Sequence, residues 1–131
     1  MLTTDGDSIR IDGTRIRLDG IDAPERRQKC EDAKGKAYFC GLEAMRALAE
    51  LIGESPVRCI KKESDRYGRL LAQCFSDNTD LGAEQVRQGW AVAYRKYTRT
   101  YVAIEERARE ARKGMWAGAF EMPWNWRRKN R

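Results

Sequence analysis

The sequence predicts an α+β fold on three observations. Short stretches of alternating apolar and polar residues come first, a stretch with helical spacing follows the first of them, and helical patterns close the chain. Ile9, Ile11, Ile16 and Leu18 alternate with polar partners, the period-2 signature of half-buried strands. Asp12-Gly13 between them is a hairpin turn signal. Pro24 cannot donate to a ladder, so the sheet is expected to break near Asp22. Residues 26–35 are polar and read as loop. From about 36 to 52, Ala37, Leu42, Met45, Leu48, Ala49 and Ile52 recur at helical spacing, and Gly53 suits a C-terminal cap. The run "VRCIKKESDRYGRLLAQCF" reads as a second hairpin with Asp65, Tyr67 and Gly68 in its turn. "DLGAEQVRQGW" reads as a short helix ending near Gly89. Residues from about 100 to 113 form a charged helix whose inner face is Val102, Ala108 and Ala111. The end of the chain carries three of the four tryptophans and then a basic run. A small Greek-key barrel of the OB type with packed helices fits this order.

A chain of 131 residues suggests one domain, 1–131, large enough for a hydrophobic core. At 35% charged and 9% aromatic it belongs with globular chains, not disordered ones. Lys and Arg outnumber Asp and Glu by 26 to 20, giving a formal charge of +6. That balance favours an anionic partner such as nucleic acid, or serves solubility. No apolar run approaches membrane-spanning length. No signal-peptide pattern is visible. The opening "MLTTDGDS" already reads as strand, so the expectation is an exported protein whose leader has been removed.

Cys30, Cys40, Cys59 and Cys74 allow three disulfide pairings. There is no CxxC and no histidine, which disfavours zinc. Disulfides in an oxidising compartment fit, with four buried free thiols as the alternative. Cys59 and Cys74 flank the second hairpin turn almost symmetrically, and Cys30 lies just before the first turns of the helix that holds Cys40. The expected pairs are therefore Cys30–Cys40 and Cys59–Cys74.

Three motifs carry the chemistry. They are "DGDS" at 5–8, "IRLDGIDAPE" at 16–25 and "DRYGR" at 65–69. Together they offer carboxylates Asp7, Asp22 and Glu25 beside guanidinium groups Arg17 and Arg69. Hard divalent cations take oxygen ligands. Arginine forks suit phosphate by bidentate hydrogen bonding. A carboxylate free of the metal can deprotonate water. These are parts for metal-assisted phosphodiester hydrolysis. Taken singly, each residue could equally be a turn former or a surface charge.

These motifs, followed by "VRQGWAVAY", resemble the staphylococcal nuclease family from about residue 4 to 116, in the family's order. The resemblance implies a five-stranded OB-fold barrel with about three packed helices. It also implies calcium-dependent cleavage of DNA and RNA, single strands preferred, leaving 3′-phosphate ends. Asp7 and Asp22 match calcium-ligand aspartates, and Ala23 matches a position that binds calcium through its carbonyl. Glu25 matches the general base. Arg17 and Arg69 match the arginines that hold the scissile phosphate. Arg66 and Tyr67 match a Lys-Tyr pair on a terminal phosphate, and Tyr94 and Tyr97 match nucleotide-pocket tyrosines. Four cysteines, the loop after Glu25, and the tail 117–131 with its "MPWNW" depart from the family pattern. None of these departures removes a catalytic position. Asp19 has no assigned role beyond a solvated turn. The resulting expectation is a secreted or periplasmic monomeric calcium-dependent endonuclease without membrane attachment. The rivals are a non-catalytic OB-fold single-strand binder and an interaction module. Both leave unexplained why three carboxylates stand beside a phosphate site they would repel.

Overall fold

The computed structural model describes residues 2–96 and 98–131. Strand β1 (Leu2–Asp5) turns at Gly6-Asp7 into β2 (Ser8–Ile11), which turns at Asp12-Gly13 into β3 (Thr14–Leu18). Asp12 and Gly13 have φ of 50° and 83°, as a tight two-residue hairpin turn demands. The register pairs Ile9 with Ile16 and Ser8 with Arg17. Strand β4 (Ile21–Asp22) is short because Pro24 follows it. Then come β5 (Cys30–Glu31), β6 (Ala37–Tyr38), helix α1 (Cys40–Ile52), β7 (Val57–Ser64), β8 (Leu70–Ser76) and β9 (Thr79–Asp80). The remaining elements are α2 (Leu81–Arg87), β10 (Val92–Ala93), α3 (Val102–Glu110), a 3₁₀ turn at Gly114–Ala117 and α4 (Pro123–Lys129).

The main sheet runs β1-β2-β3-β8-β7, with β9 added to β8. β3 and β8 are parallel, so the two hairpins join through a crossover that contains α1. β4 pairs with β10. The sheet curls as an α+β OB-fold. The three helices expected to pack on it are α1, α2 and α3, and a fourth, α4, lies in the tail. Ile9, Leu18, Ile21, Leu48, Ile52, Leu81 and Val86 are fully buried where α1 and α2 meet the concave face. A smaller cluster joins the Cys30–Cys40 bridge to Met115. The second bridge is Cys59–Cys74, across directly paired positions of β7 and β8.

Three sequence expectations need correction. The polar loop 26–35 holds the first strand of a small hairpin, β5–β6, whose turn is closed by Asp32 Oδ1 accepting from the N–H groups of Lys34 and Lys36, both at 2.9 Å. Two-residue strands are too short to show a period. α1 accordingly starts at Cys40, not near 36, and Ala37 lies in β6. Its buried stripe is Gly41, Ala44, Leu48 and Ile52, whereas Ala49 is exposed and Leu42 and Met45 are half-buried. Small residues occupy that face because the helix starts against the "DAPE" segment: a Cβ on Gly41 would lie 1.8 Å from the Glu25 carbonyl oxygen. In α3 the inward residues are Val102, Glu105 and Ala108, while Ala111 is the exposed cap. Glu105 is buried because its Oε1 accepts from the Ala93 N–H at 2.8 Å and its Oε2 pairs with Arg95.

Candidate active site

The site begins at the β1–β2 turn. Gly6 has no room for a side chain: a Cβ there would lie 2.6 Å from the Cβ of Ala44 and 2.7 Å from that of Ala23. Buried Gln85 of α2 fixes the same turn by donating to the carbonyls of Gly6 (2.8 Å) and Ala44 (3.0 Å). Asp7 is thereby pinned with its side chain buried. Its Oδ2 accepts from the Ala23 N–H at 2.8 Å, and its Oδ1 accepts from the Ser8 hydroxyl at 3.2 Å. Ala23 thus ties the strand end that bears Asp22 to the turn that bears Asp7.

Arg17 of β3 stands between the two aspartates. Its Nη1 is 3.5 Å from Asp7 Oδ2, its Nη2 is 3.5 Å from Asp22 Oδ1, and Nη2 donates to the Ile21 carbonyl at 3.1 Å. Burial pushes the Asp7 carboxyl up, but Arg17 and the surrounding donors outweigh it and hold Asp7 below its ordinary value. Asp22 is wholly buried, and burial wins there, leaving its carboxyl raised. Burial lowers the guanidinium of Arg17, yet Asp7 and Asp22 more than reverse this.

Glu25 lies past the strand end, half-buried, with its N–H donating to Gln28 Oε1 at 3.2 Å. Gln28 is itself buried and donates to the Glu121 carbonyl at 2.9 Å, so the loop after Glu25 is anchored to the tail.

The opposite wall is the β7–β8 turn. Asp65 Oδ1 accepts from the N–H groups of Tyr67 and Arg69, each at 2.9 Å, and Asp65 Oδ2 accepts from Arg69 Nε at 2.9 Å. Arg15 of β3 donates to the Tyr67 carbonyl, which clamps this turn against the first hairpin. The Arg66 guanidinium lies 5.1 Å above the exposed Tyr67 ring. Tyr94 is placed by its N–H donating to the Gly20 carbonyl at 2.9 Å. A cleft of about 890 Å³ runs between the walls, lined by Asp7, Arg17, Glu25, Arg66, Tyr67, Arg69 and Tyr94. Asp22 and Ala23 lie buried beneath it. Tyr97 falls outside the described residues.

Three residues at the site carry no chemical role in the sequence alone. Arg127 of α4 donates from Nη2 to Asp22 Oδ2 at 2.8 Å, and from Nη1 to Asp22 Oδ1 and Glu25 Oε1, both at 3.0 Å. These hydrogen bonds raise its guanidinium above the ordinary value. Its signal was the basic run after "PWNW", which has no spacing relation to Asp22. Asp65 was read only as a turn former. Asp5 has Oδ1 buried without a partner, and burial together with the Asp7 charge pushes its carboxyl up to about 7. Its signal was the acidic doublet in "DGDS".

Among the described residues, no group of three or more Asp, Glu, His or Cys side chains gathers for a metal. The chemistry of the donors nevertheless suits a hard cation. Buried Asp7 and Asp22 offer carboxylate oxygens and already share one cationic partner, Arg17. Arg17 on one wall and Arg69 on the other can hold a phosphate by fork-like hydrogen bonds.

A model of the staphylococcal nuclease homologue family matches residues 15–118. The chain is similar to a succinoglycan biosynthesis protein of Rhizobium meliloti (strain 1021), with 36% identity over 86% of this chain and 60% of that protein. It is also similar to a probable staphylococcal-like nuclease of Oryza sativa subsp. japonica, with 30% identity over all of this chain and 34% of that one. An uncharacterized endonuclease of Haemophilus influenzae is 31% identical over 98% of this chain and 71% of its own length. The chain thus spans under two thirds of the first two relatives.

Proposed function

The chain belongs to the staphylococcal nuclease family, and we propose that it is a calcium-dependent endonuclease acting on DNA and RNA. The observation that carries this reading is the buried Asp7–Arg17–Asp22 array at the floor of a cleft whose walls bring Glu25 and Arg69. Asp7, Asp22 and the carbonyl of Ala23 would hold the calcium ion. Calcium would supply positive charge to a phosphate oxygen. Arg17 and Arg69 hold the other oxygens and stabilise the charge that grows on them as phosphorus becomes five-coordinate. Glu25 orients a water and takes its proton. Arg66 and Tyr67 receive a terminal phosphate, and Tyr94 flanks the nucleotide. The family resemblance assigns breakage of the 5′ P–O bond, leaving a 3′-phosphate and a 5′-hydroxyl whose oxygen takes a proton from solvent water; single strands are the expected substrate.

Two disulfides fit an oxidising compartment, which supports a secreted or periplasmic protein. Among the described residues no helix is long and apolar enough to cross a membrane. We take the 131 residues as one domain acting as a monomer.

Glu25→Gln tests the reading. It keeps the shape and removes the base, so kcat is expected to fall by about 10²–10⁴. Binding of a nucleoside 3′,5′-bisphosphate is expected to persist. A folded Glu25→Gln protein that cleaves at the parent rate removes Glu25 as the base. A parent that binds single strands and never cleaves them establishes the binding-module rival.

A further inference from the structure

A second groove, of about 390 Å³, opens beside the cleft and shares Glu25 and Arg127 with it. Its other walls are Arg26, Arg27, Trp126, Asn130 and Arg131. Four arginines therefore face one glutamate, and none of the chemistry above uses Arg26, Arg27, Trp126 or Arg131. The Arg27 guanidinium lies 5.9 Å from the Trp126 ring centroid, so a flat aromatic platform and a phosphate fork stand together. Arg26 is steadied by donating to the Thr4 carbonyl at 2.5 Å, and Arg27 and Arg131 are exposed. α4, which supplies Trp126 and Arg127, is itself docked on the cleft, with Trp124 5.8 Å from the Tyr94 ring.

We propose that this groove is a substrate subsite, taking the stretch of nucleic-acid strand that leaves the scissile phosphate. The inference rests on the nuclease reading and extends it to Arg26 and Arg27 and to Trp126 and Arg131, the last two beyond the family match. A charged groove with a stacking side chain is the general apparatus for single strands. Continuity with the cleft at Glu25 and Arg127 favours a strand over an acidic peptide, because a polymer bound in one must run into the other. The test is fluorescence anisotropy with labelled oligo(dT) of roughly twelve residues in EDTA, titrated with salt, beside calorimetry with thymidine 3′,5′-bisphosphate in calcium. Arg27→Ala/Arg131→Ala is expected to weaken the oligonucleotide at least tenfold and lower the salt slope by about 1.4, the value for two lost phosphate contacts on a single strand. Bisphosphate affinity stays at the parent value. Trp126→Ala weakens the oligonucleotide about tenfold at an unchanged salt slope. Unchanged oligonucleotide binding in both variants overturns the subsite. So does an equal loss for both ligands, or selective loss of an acidic peptide instead. A parent protein that binds neither ligand overturns the nuclease reading as well.

A different observation carries a second inference. Arg127 makes three hydrogen bonds to Asp22 and Glu25, and Asp22 is wholly buried. We infer that Arg127 is an internal counter-cation that a divalent ion displaces from Asp22, which makes α4 a latch on the carboxylates. This rests on the calcium reading. Calorimetric titration with calcium alone tests it on the parent and on Arg127→Ala. The variant is expected to bind calcium about tenfold more tightly, within the usual range of coupling between two competing contacts. Equal or weaker binding overturns the latch. Absence of calcium binding in both proteins overturns the calcium reading together with it.

Discussion

The two arginines proposed to hold the phosphate live in opposite surroundings. Arg17 sits in a central strand at 16% side-chain exposure, between two buried carboxylates and a backbone carbonyl. Arg69 sits beside a turn at 32% exposure, held by the single carboxylate of Asp65. The strand-borne half of the cleft is therefore part of the hydrophobic core's own architecture, pinned by Gly6, Gln85 and Ala23. The turn-borne half is presented to it by a hairpin and a clamp from Arg15. On the proposed reading, Arg17 would serve fold and chemistry together, and Arg69, held by a turn carboxylate, chemistry for the most part.

The sharpest way to break this contrast is a pair of deletions. Arg17→Ala leaves Asp7 without its ion-pair partner and Asp22 short of one of its two, and is expected to cost about 3–5 kcal/mol of stability along with activity. Arg69→Ala removes a partly exposed ion pair and is expected to cost at most about 1 kcal/mol. Urea unfolding of both measures the difference, and equal costs would erase it. Next in size is Arg69→Lys. Lysine keeps the charge but not the planar fork, so kcat is expected to drop by about 10²-fold while KM moves far less. A raised KM with kcat intact would make Arg69 a binding residue only. The staples affect stability and not the chemistry. Cys59→Ser/Cys74→Ser opens the bridge within the turn-bearing hairpin and is expected to lower stability by roughly 2–3 kcal/mol, read from thermal or urea unfolding. Four free thiols in protein purified without reductant would contradict both bridges and the export they suggest.

The strand-borne half was legible in the sequence because its parts lie close along the chain. Asp7, Arg17, Asp22, Ala23 and Glu25 fall within two hairpin-connected segments, and alternation with a Pro break gathers them about one strand end. The Asp65–Arg69 turn was legible as turn chemistry. Asp5 was passed over because nothing local says that an oxygen will be buried unpartnered beside Asp7. Arg127 was illegible for a stronger reason. It reaches Asp22 across 105 positions, through the docking of a seven-residue helix that carries no period of its own. The β5–β6 hairpin and the shifted start of α1 escaped for the same reason of shortness. Long-range contacts made by short elements leave little trace in a pattern.

Incubation of the purified protein with single-stranded DNA, in calcium or in excess chelator, tests the central claim most directly. Cleavage is expected in calcium, less in magnesium, whose strict octahedral demand suits this oxygen set poorly, and none in chelator. Full cleavage in excess EDTA would contradict it.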